Sequence, residues 1–584
     1  MFTLVNSLDL LNESLDQLSD DLVIACDLEA DSLDTSKANI EGIGYGTEYK
    51  AFYIPFPHNI NNVDIINFLS KLFEKTVVFH NAKYDMKLLL ANSLPVPKKF
   101  HDTMIMSWLV DENRQHGLKV LTKEIFGKVP KKYDEVKRVP DLFTTQEDLV
   151  LEMAEYCCED VKNTFALYKY FHPQLEEENV QVAYERVELK LIPVLMDMES
   201  RGIQVDVSWL QERSVAAHKE LASLEARILN KLSKNMTSNE ARFLNIRSPK
   251  QLERILFDIL KYKVVKETAS KKRSTDNEVL ETIVRKHKLK ETDVVPMLLK
   301  FRDLDKVNNT FFMTLAEQAG TENIIRANFL QHGTRTGRLA SNAPNLQNIP
   351  SRHDEWNVRT AFVPREGYRF IIADYSQVEL RMLAHFSQDK HMLDTFLTDG
   401  DIHGKTMELL GIDDRRIAKN VNFGIVYGVG PRTMSQLIQR PEVECKRYIE
   451  GFLSGYPQVR QFIYRVQQST FRTGYVETII GRRRHFHEFQ DRRWFGNISR
   501  QSVNTKIQGS AADLIKIAMI KLHYALKEFD SHILVQIHDE VIVETPVDKI
   551  EEVKVVIKDI MEHALALRVP LRTSMVEGDR WIKG

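Results

Sequence analysis

The chain has 584 residues, of which 28% are charged and 43% hydrophobic, and a formal net charge of -2. That length is too great for one hydrophobic core, so roughly two to four domains are expected. Four cysteines without zinc-ligand spacing exclude a disulfide scaffold, no run of about 18 apolar residues offers a membrane span, and the acidic N-terminus is unlike a signal or transit peptide, so a cytoplasmic protein is expected.

Leu22–Ala30 reads as a strand that runs into Asp27 and Glu29. Residues two apart share one face of a strand, which sets these carboxylates side by side. A second strand, Thr76–Phe79, leads into a helix that Asn81 can cap, with Asp85 one turn in. A helical pattern over Leu151–Tyr170 makes Tyr156 and Asp160 i,i+4 partners on one face. Asp27, Glu29, Asp85 and Asp160, with Tyr156 beside them, form an oxygen-ligand set of the kind hard divalent cations take. Paired ions about 3.5–4 Å apart support phosphodiester hydrolysis. Tyr156 could orient the attacking water.

A helix stops at Gly202 and an extended piece follows; the domain junction is expected just before, near Glu176–Val182. Amphipathic helices dominate residues 208–309, one of them over Arg213–Leu232. Ser248 and Pro249 begin another with a cap and a proline in the first turn. Between Lys231 and Lys300 stand 17 Lys and Arg against 9 Asp and Glu, a local charge of +8 that leaves -10 for the remainder. Lys271, Lys272 and Arg273 form a basic, flexible tip suited to sequence-independent contact with a phosphate backbone.

Tyr368–Ala373 reads as a strand ending at Asp374. Arg415, Lys419, Phe423 and Tyr427 then recur every four residues, which keeps them on one helical face. Two cations suit a polyphosphate, and two flat rings suit a sugar or a base. Ile533–Ile537 reads as a strand that turns at His538, Asp539 and Glu540. Carboxylates at such positions are costly without a counter-ion, so Asp374 and Asp539 point to a second two-metal site.

In order and context these pieces resemble two known enzyme families. Asp27–Glu29, Asp85 and Tyr156–Asp160 resemble the three motifs of DEDD-type 3′–5′ exonucleases, in the variant with a tyrosine in the third. Asp374–Arg381, Arg415–Gly428 and His538–Glu540 resemble motifs A, B and C of family A DNA polymerases. Thr336–Leu339, Pro344–Pro350, Tyr475–Thr478, Gly481–Arg484 and Arg500–Gly509 resemble blocks around and between those motifs. The resemblance covers nearly the whole chain. It implies α/β plus α+β architecture: a ribonuclease-H-like exonuclease over residues 1–178, then a right-hand polymerase over 179–584. Within the latter it implies a thumb at about 200–310, a palm at about 311–400 and 510–584, and fingers at about 401–509. The implied activity is template-directed DNA synthesis with 3′–5′ proofreading, in replication (viral in setting) or repair.

By the same resemblance, Asp374, Tyr375 and Asp539 would bind two Mg²⁺ ions, and Asp27, Glu29 and Asp160 two divalent ions at the nuclease site. Arg415 and Lys419 would hold the triphosphate, with Gln377 and His403 in the same nucleotide pocket. Phe423 would stack near sugar and base, and Tyr427 would pack at the template side. Glu379 would be the steric gate against a ribose 2′-hydroxyl. A phenylalanine at Phe423 implies rejection of dideoxynucleotides. Arg338, Arg500, Asn504 and Gln508 would contact DNA, the first and last two in the minor groove, where acceptors lie alike for every base pair. His538 and Glu540 would support the primer terminus and the metal site. The implied partners of a monomeric chain are primer-template DNA, deoxynucleoside triphosphates, and replisome proteins such as a helicase, a primase and a single-strand-binding protein. Three departures stand out. No 5′-nuclease region precedes Asp27, as in phage polymerases. No long insertion interrupts the thumb. The terminal Gly578–Gly584 keeps a G-x-x-W pattern but lacks the family's final histidine.

Overall fold

The computed structural model describes all residues except 1, 58–59, 132, 137–144, 235–243, 269, 351–355 and 583–584, and omits the side chains of residues 134, 136 and 146. The last two residues of the expected terminal pattern, Lys583 and Gly584, thus lie outside the described residues. Contacts group the chain into two units: Met1–Arg201 with Asn328–Ala343 and Ala373–Met575, and Gly202–Ala327 with Pro344–Ile372 and Val576–Gly584.

The first unit opens on a six-stranded mixed sheet. Its strands are β1 (Thr3–Leu4), β2 (Val23–Ala30), β3 (Ile40–Gly46), β4 (Ala51–Pro55), β5 (Thr76–Phe79) and β6 (Phe100–Asp102), ordered β1-β4-β3-β2-β5-β6. β2 pairs antiparallel with β3 and parallel with β5. Its residues up to Cys26 are apolar on both faces because both are covered. Ile24, Cys26, Val77 and Phe79 join the main core with Met86 and Leu89 of α1 (Ala82–Ala91). Ala25 and Val78 instead pack on Val161 of α2 (Gln146–Glu177). Asp27 and Glu29 share the parity of Ala25, so the strand turns them toward α2. Thr145 and Asp148 start α2 with a capping box. The helix then runs 32 residues, longer at both ends than the pattern predicts.

A helix over Leu189–Arg201 ends where Gly202 adopts a φ of +62°, a left-handed stop that favours glycine. In the second unit β7 (Ile203–Val205) pairs with β8 (Ile324–Ile325). Asp206 caps α3 (Val207–Ser233), and Ser248 caps the helix that Pro249 begins, as the sequence predicts. The hairpin β9–β10 (Asn328–Leu330, Ala340–Asn342) belongs to the first unit. β11 (Phe362–Val363) lies on the other edge of β7. Trp581 of the terminal pattern is fully buried, its N–H donating to the Phe362 carbonyl and Arg359 lying 4.5 Å over its ring.

The chain re-enters the first unit along β12 (Tyr368–Tyr375). There follow α4 (Val378–Ser387), α5 (Ile402–Leu410) and α6 (Arg415–Val426), then the hairpin β13–β14 (Tyr475–Glu477, Arg483–His485) and α7 (Phe495–Asn504). β15 (His532–Ile537), β16 (Glu540–Pro546) and β17 (Thr573–Gly578) complete a four-stranded sheet ordered β15-β16-β12-β17. Within this unit the N-terminal part meets the C-terminal part around Trp108. Arg482 and Lys516 lie 5.7 and 5.2 Å over its ring. Lys516 pairs with Glu188 at 2.6 Å, both sealed from water. Removing either partner would strand a buried charge.

Candidate active sites

The N-terminal site is assembled by β2, α1 and α2. Asp27 pairs in register with Gly44 of β3. A Cβ at Gly44 would stand 2.6 Å from Cys157 Sγ, so the glycine lets α2 lie close over the strand. Asp27, Glu29 and Cys157 offer ligand atoms within 4.8 Å of one another. Asp160 and Tyr156 follow on α2, and Asp85 is buried in the first turn of α1. Asn81 does stand at the N-cap of α1, but with a φ of 76° and no capping bond. Asp102 caps instead, accepting from the Asn81 and Ala82 N–H groups at 3.2 and 2.9 Å. Asn81 is therefore not the cap the sequence suggests: its left-handed backbone is not the extended conformation a side-chain N-cap adopts.

Burial pushes the Asp27 carboxyl up to about 7, Glu29 up to about 9 and Asp160 up to about 6. Asp85 is raised well above the usual range, also by burial first. Repulsion among the carboxylates adds to the rise for Asp27, Glu29 and Asp85, while Lys119 opposes it at Asp27, Glu29 and Asp160. The Lys119 amine pairs with Asp160 and lies 4.1 Å over the Tyr156 ring. This donor set fits divalent cations, since added positive charge relieves both burial and repulsion.

The second site lies where β12 meets the β15–β16 turn. The Tyr375 N–H donates to the Asp539 carbonyl at 3.1 Å, so Asp374 and Asp539 stand on adjacent backbones. His538 and Asp539 make a two-residue turn with His538 left-handed (φ 54°) and exposed, while Glu540 is buried at the start of β16. The Tyr375 hydroxyl donates to the Met561 carbonyl inside the core. Only its backbone carbonyl is therefore left to serve a cation. Gln377 is also left-handed, before α4.

Three residues distant in sequence converge on Glu379, on the helix that follows Asp374 in the chain. Arg338 binds the buried Glu379 at 2.7 Å, and the Tyr427 and Gln508 side chains face the same carboxylate. Burial raises the Glu379 carboxyl even against these partners. Gly337 (φ +84°) brings Arg338 here: a Cβ would stand 2.2 Å from the Arg482 guanidinium, which holds the Thr336 carbonyl and Asp513. α6 buries Ile417, Val421 and Ile425, and exposes Arg415 and Lys419. The helix ends at Val426, with Tyr427 as its cap, so the expected helix is short by one turn's edge. Phe423 and Tyr427 stack with centroids 6.3 Å apart, and Lys419 lies 5.9 Å over Phe423. Arg415 pairs with the exposed Asp401 at 2.8 Å, a surface contact worth about 0–1 kcal/mol that a polyphosphate can displace. Arg500 packs against Gly428, where a Cβ would be 3.2 Å from its Cα. Asn504 ends α7, and Gln508 rides the π turn Thr505–Gly509, a distortion frequent at functional sites. The Asn504 Oδ1 is buried without a hydrogen-bond partner among the described residues.

In the second unit, Lys271 and Lys272 are exposed on a hydrogen-bonded turn closed by Thr268 N–H to the Lys272 carbonyl. Arg273 is engaged with Glu253 and Asp258, each at 2.7 Å. The turn is thus closed by backbone and side-chain contacts within its own unit.

Residues 209–583 match the family model described as DNA polymerase family A. The chain belongs to DNA polymerase family A. Residues 2–176 of this family A chain match the 3′–5′ exonuclease model. It is 34% identical over 594 residues to DNA polymerase I of Borreliella burgdorferi, covering 98% of this chain and 63% of that one. It is 33% identical over 626 residues to DNA polymerase I of Synechocystis sp., covering 100% and 62%. The chain thus spans about three-fifths of the length of these curated relatives. Among solved structures it resembles the POL domain of Pol1 from M. smegmatis, in complex with DNA primer-template and dNTP. That likeness has a TM-score of 0.87, 25% identity, and covers 99% of both chains. No helix among the described residues is long and apolar enough to cross a membrane. Three residues of this family A chain escape motif reading. Lys119 sits on a helix with no pattern to mark it. Cys157 is hidden beside Tyr156, although its spacing from Tyr156 and Asp160 puts it on the helix side facing β2. Arg482 stands in a quoted block but shows its work, positioning Gly337–Arg338, only in three dimensions.

Proposed function

We propose that this chain extends primer-template DNA with deoxynucleoside triphosphates and trims mispaired 3′ ends at its N-terminal site. The observation that carries the reading is the convergence of Arg338, Tyr427 and Gln508 on Glu379, on the helix that follows the Asp374 strand, together with one helical face of two exposed cations and two stacked aromatics. Asp374, Asp539 and the Tyr375 carbonyl would hold two Mg²⁺ ions, which when bound would supply nucleophile activation and charge neutralisation at the α-phosphate. The primer 3′-oxygen bonds to the α-phosphorus, and the bond to the bridging oxygen breaks to release pyrophosphate. Arg415 and Lys419 bind the triphosphate, and Lys419 donates a proton to the leaving oxygen. Phe423 stacks on the sugar and base. Glu379 fills the space of a 2′-hydroxyl and thereby selects deoxynucleotides. Arg338, Asn504 and Gln508 test pair shape from the minor groove, with Arg500 and His538 on the adjoining strands. Lys271 and Lys272 contact the duplex backbone, so binding weakens with salt. At the other site Asp27, Glu29 and Asp160 would hold divalent ions, with Asp85 beside them, and Tyr156 orients water for attack on the terminal phosphodiester.

Primer extension with Mg²⁺ and deoxynucleotides tests the reading. Product that grows to template length, and is lost in Asp539→Ala, supports it; equal extension by Asp539→Ala rejects it.

A further inference from the structure

His403 sits in the first turn of α5 with its ring buried, 6.1 Å from the Phe423 ring. Behind it lie two wholly buried polar side chains, Asn422 of α6 and Thr406 of α5. The Thr406 hydroxyl lies 2.8 Å from Asn422 Oδ1 and 2.9 Å from the Ile402 carbonyl. With its oxygen facing that hydroxyl, the Asn422 amide presents Nδ2 to His403 Nδ1 at 2.7 Å. In this amide orientation the nitrogen donates, so Nδ1 accepts and carries no hydrogen. The ring hydrogen then stands on Nε2. Nε2 meets no hydrogen-bond partner among the described residues and is not sealed from solvent.

We infer that Asn422 is a positioning residue: with Thr406 it fixes the tautomer of His403 and aims an Nε2–H donor at the phosphates of the incoming nucleotide. The inference rests on the proposed reading of the α6 face. Asp401, Arg415 and Lys419 are the charged groups that act on His403, and Tyr456 approaches Thr406 from behind. Burial first, then Arg415 and Lys419, hold the imidazole below its ordinary range, while Asp401 opposes them. A neutral ring gains no attraction for phosphate from charge, so its value as a donor depends on which nitrogen bears the hydrogen. Packing alone would also explain a buried Asn–Thr pair joining two helices. Such a role predicts lost stability but no change of tautomer and no new pH dependence.

The test uses the full chain with ¹⁵N-labelled histidine, the His403 signals being those missing from His403→Ala. The parent should show a protonated Nε2 and an accepting Nδ1. Thr406→Val frees the amide to flip and should give a mixture of tautomers. Asn422→Asp can only accept, so Nδ1 must carry hydrogen and Nε2–H survives only in the charged ring. Extension by that variant at limiting nucleotide should fall about tenfold as pH rises through the ring's titration, the loss of one charge-assisted hydrogen bond, while the parent stays level. His403→Ala should be equally slow at every pH and gain no further loss from Asn422→Asp. A parent with hydrogen on Nδ1, a variant profile parallel to the parent's, or additive losses would overturn the inference. A parent that shows Nε2–H but extends no primer overturns the reading of the α6 face and leaves the tautomer assignment standing.

Discussion

The two sites each gather carboxylates near the end of a strand, yet they are built in opposite ways. The N-terminal carboxylates lie on the covered face of a sheet. Glu29, Asp85 and Asp160 are buried, and Asp27 is half-buried under a 32-residue helix. Asp374 and Asp539 are half-buried, at the rim where a strand meets a turn, and the cations that accompany them are exposed on α6. Burial raises the carboxyls of the first site into the neutral range, so packing makes that site hungry for cations before any substrate arrives. The second site leaves Arg415 and Lys419 in water, where their charge is cheap to keep and open to a polyphosphate. A cluster inside a core can be rigid because water is small. On the proposed reading the second site admits a triphosphate and a base pair, which requires its cations outside.

The sharpest way to break this comparison is to remove ligands from one site at a time. Asp539→Ala should lower primer extension on the order of a thousandfold, the effect of several kcal/mol at tenfold per 1.36 kcal/mol, while single-strand trimming persists. Asp27→Ala with Glu29→Ala should do the reverse. Gel assays of both activities on both variants check this. Loss of both activities in either variant would mean the sites are not independent.

Next in size is Lys419→Ala. If the amine gives a proton to the leaving pyrophosphate, the single-turnover rate at saturating nucleotide should drop by about a hundredfold, within the usual range for acid catalysis. An unchanged plateau with weaker nucleotide binding would reduce Lys419 to an anchor. Glu379→Ala should raise ribonucleotide incorporation about tenfold or more in single-nucleotide extension, because one hydroxyl no longer meets a buried carboxylate. No rise would remove the gate from this site.

Much of both sites was legible in the sequence, for a physical reason. Strand parity sets Asp27 beside Glu29 and four-residue spacing aligns Arg415 with Lys419, and these rules act within one element. The resemblance supplied the rest of the order. What stayed hidden depends on contacts between elements. Asp102 rather than Asn81 caps α1 because β6 ends where that helix begins. Lys119 reaches Asp160 from 41 residues away. Arg273, read as part of the basic tip, pairs with two acids of its own unit, and no local pattern announces such a pairing.

The smallest expected effect is on stability, and it separates the two sites without catalysis. In chelator the buried N-terminal carboxylates repel one another or take up protons. Folded values of about 7 for Asp27 and about 9 for Glu29 lie above the ordinary carboxylate range. Raised carboxyls favour the fold in acid, and that contribution is lost as pH climbs from the ordinary carboxylate range through the folded values. Chelated protein should therefore melt a few degrees lower at pH 8 than at pH 6, on the scale of about 2–4 °C per kcal/mol for large domains. Saturating Mg²⁺ should close most of the gap. The Asp27→Ala, Glu29→Ala variant should lose both the pH slope and the Mg²⁺ shift, whereas Asp539→Ala should keep them, since the rim acids pay little for standing in water. A variant that kept the slope would place the strain elsewhere than in this cluster.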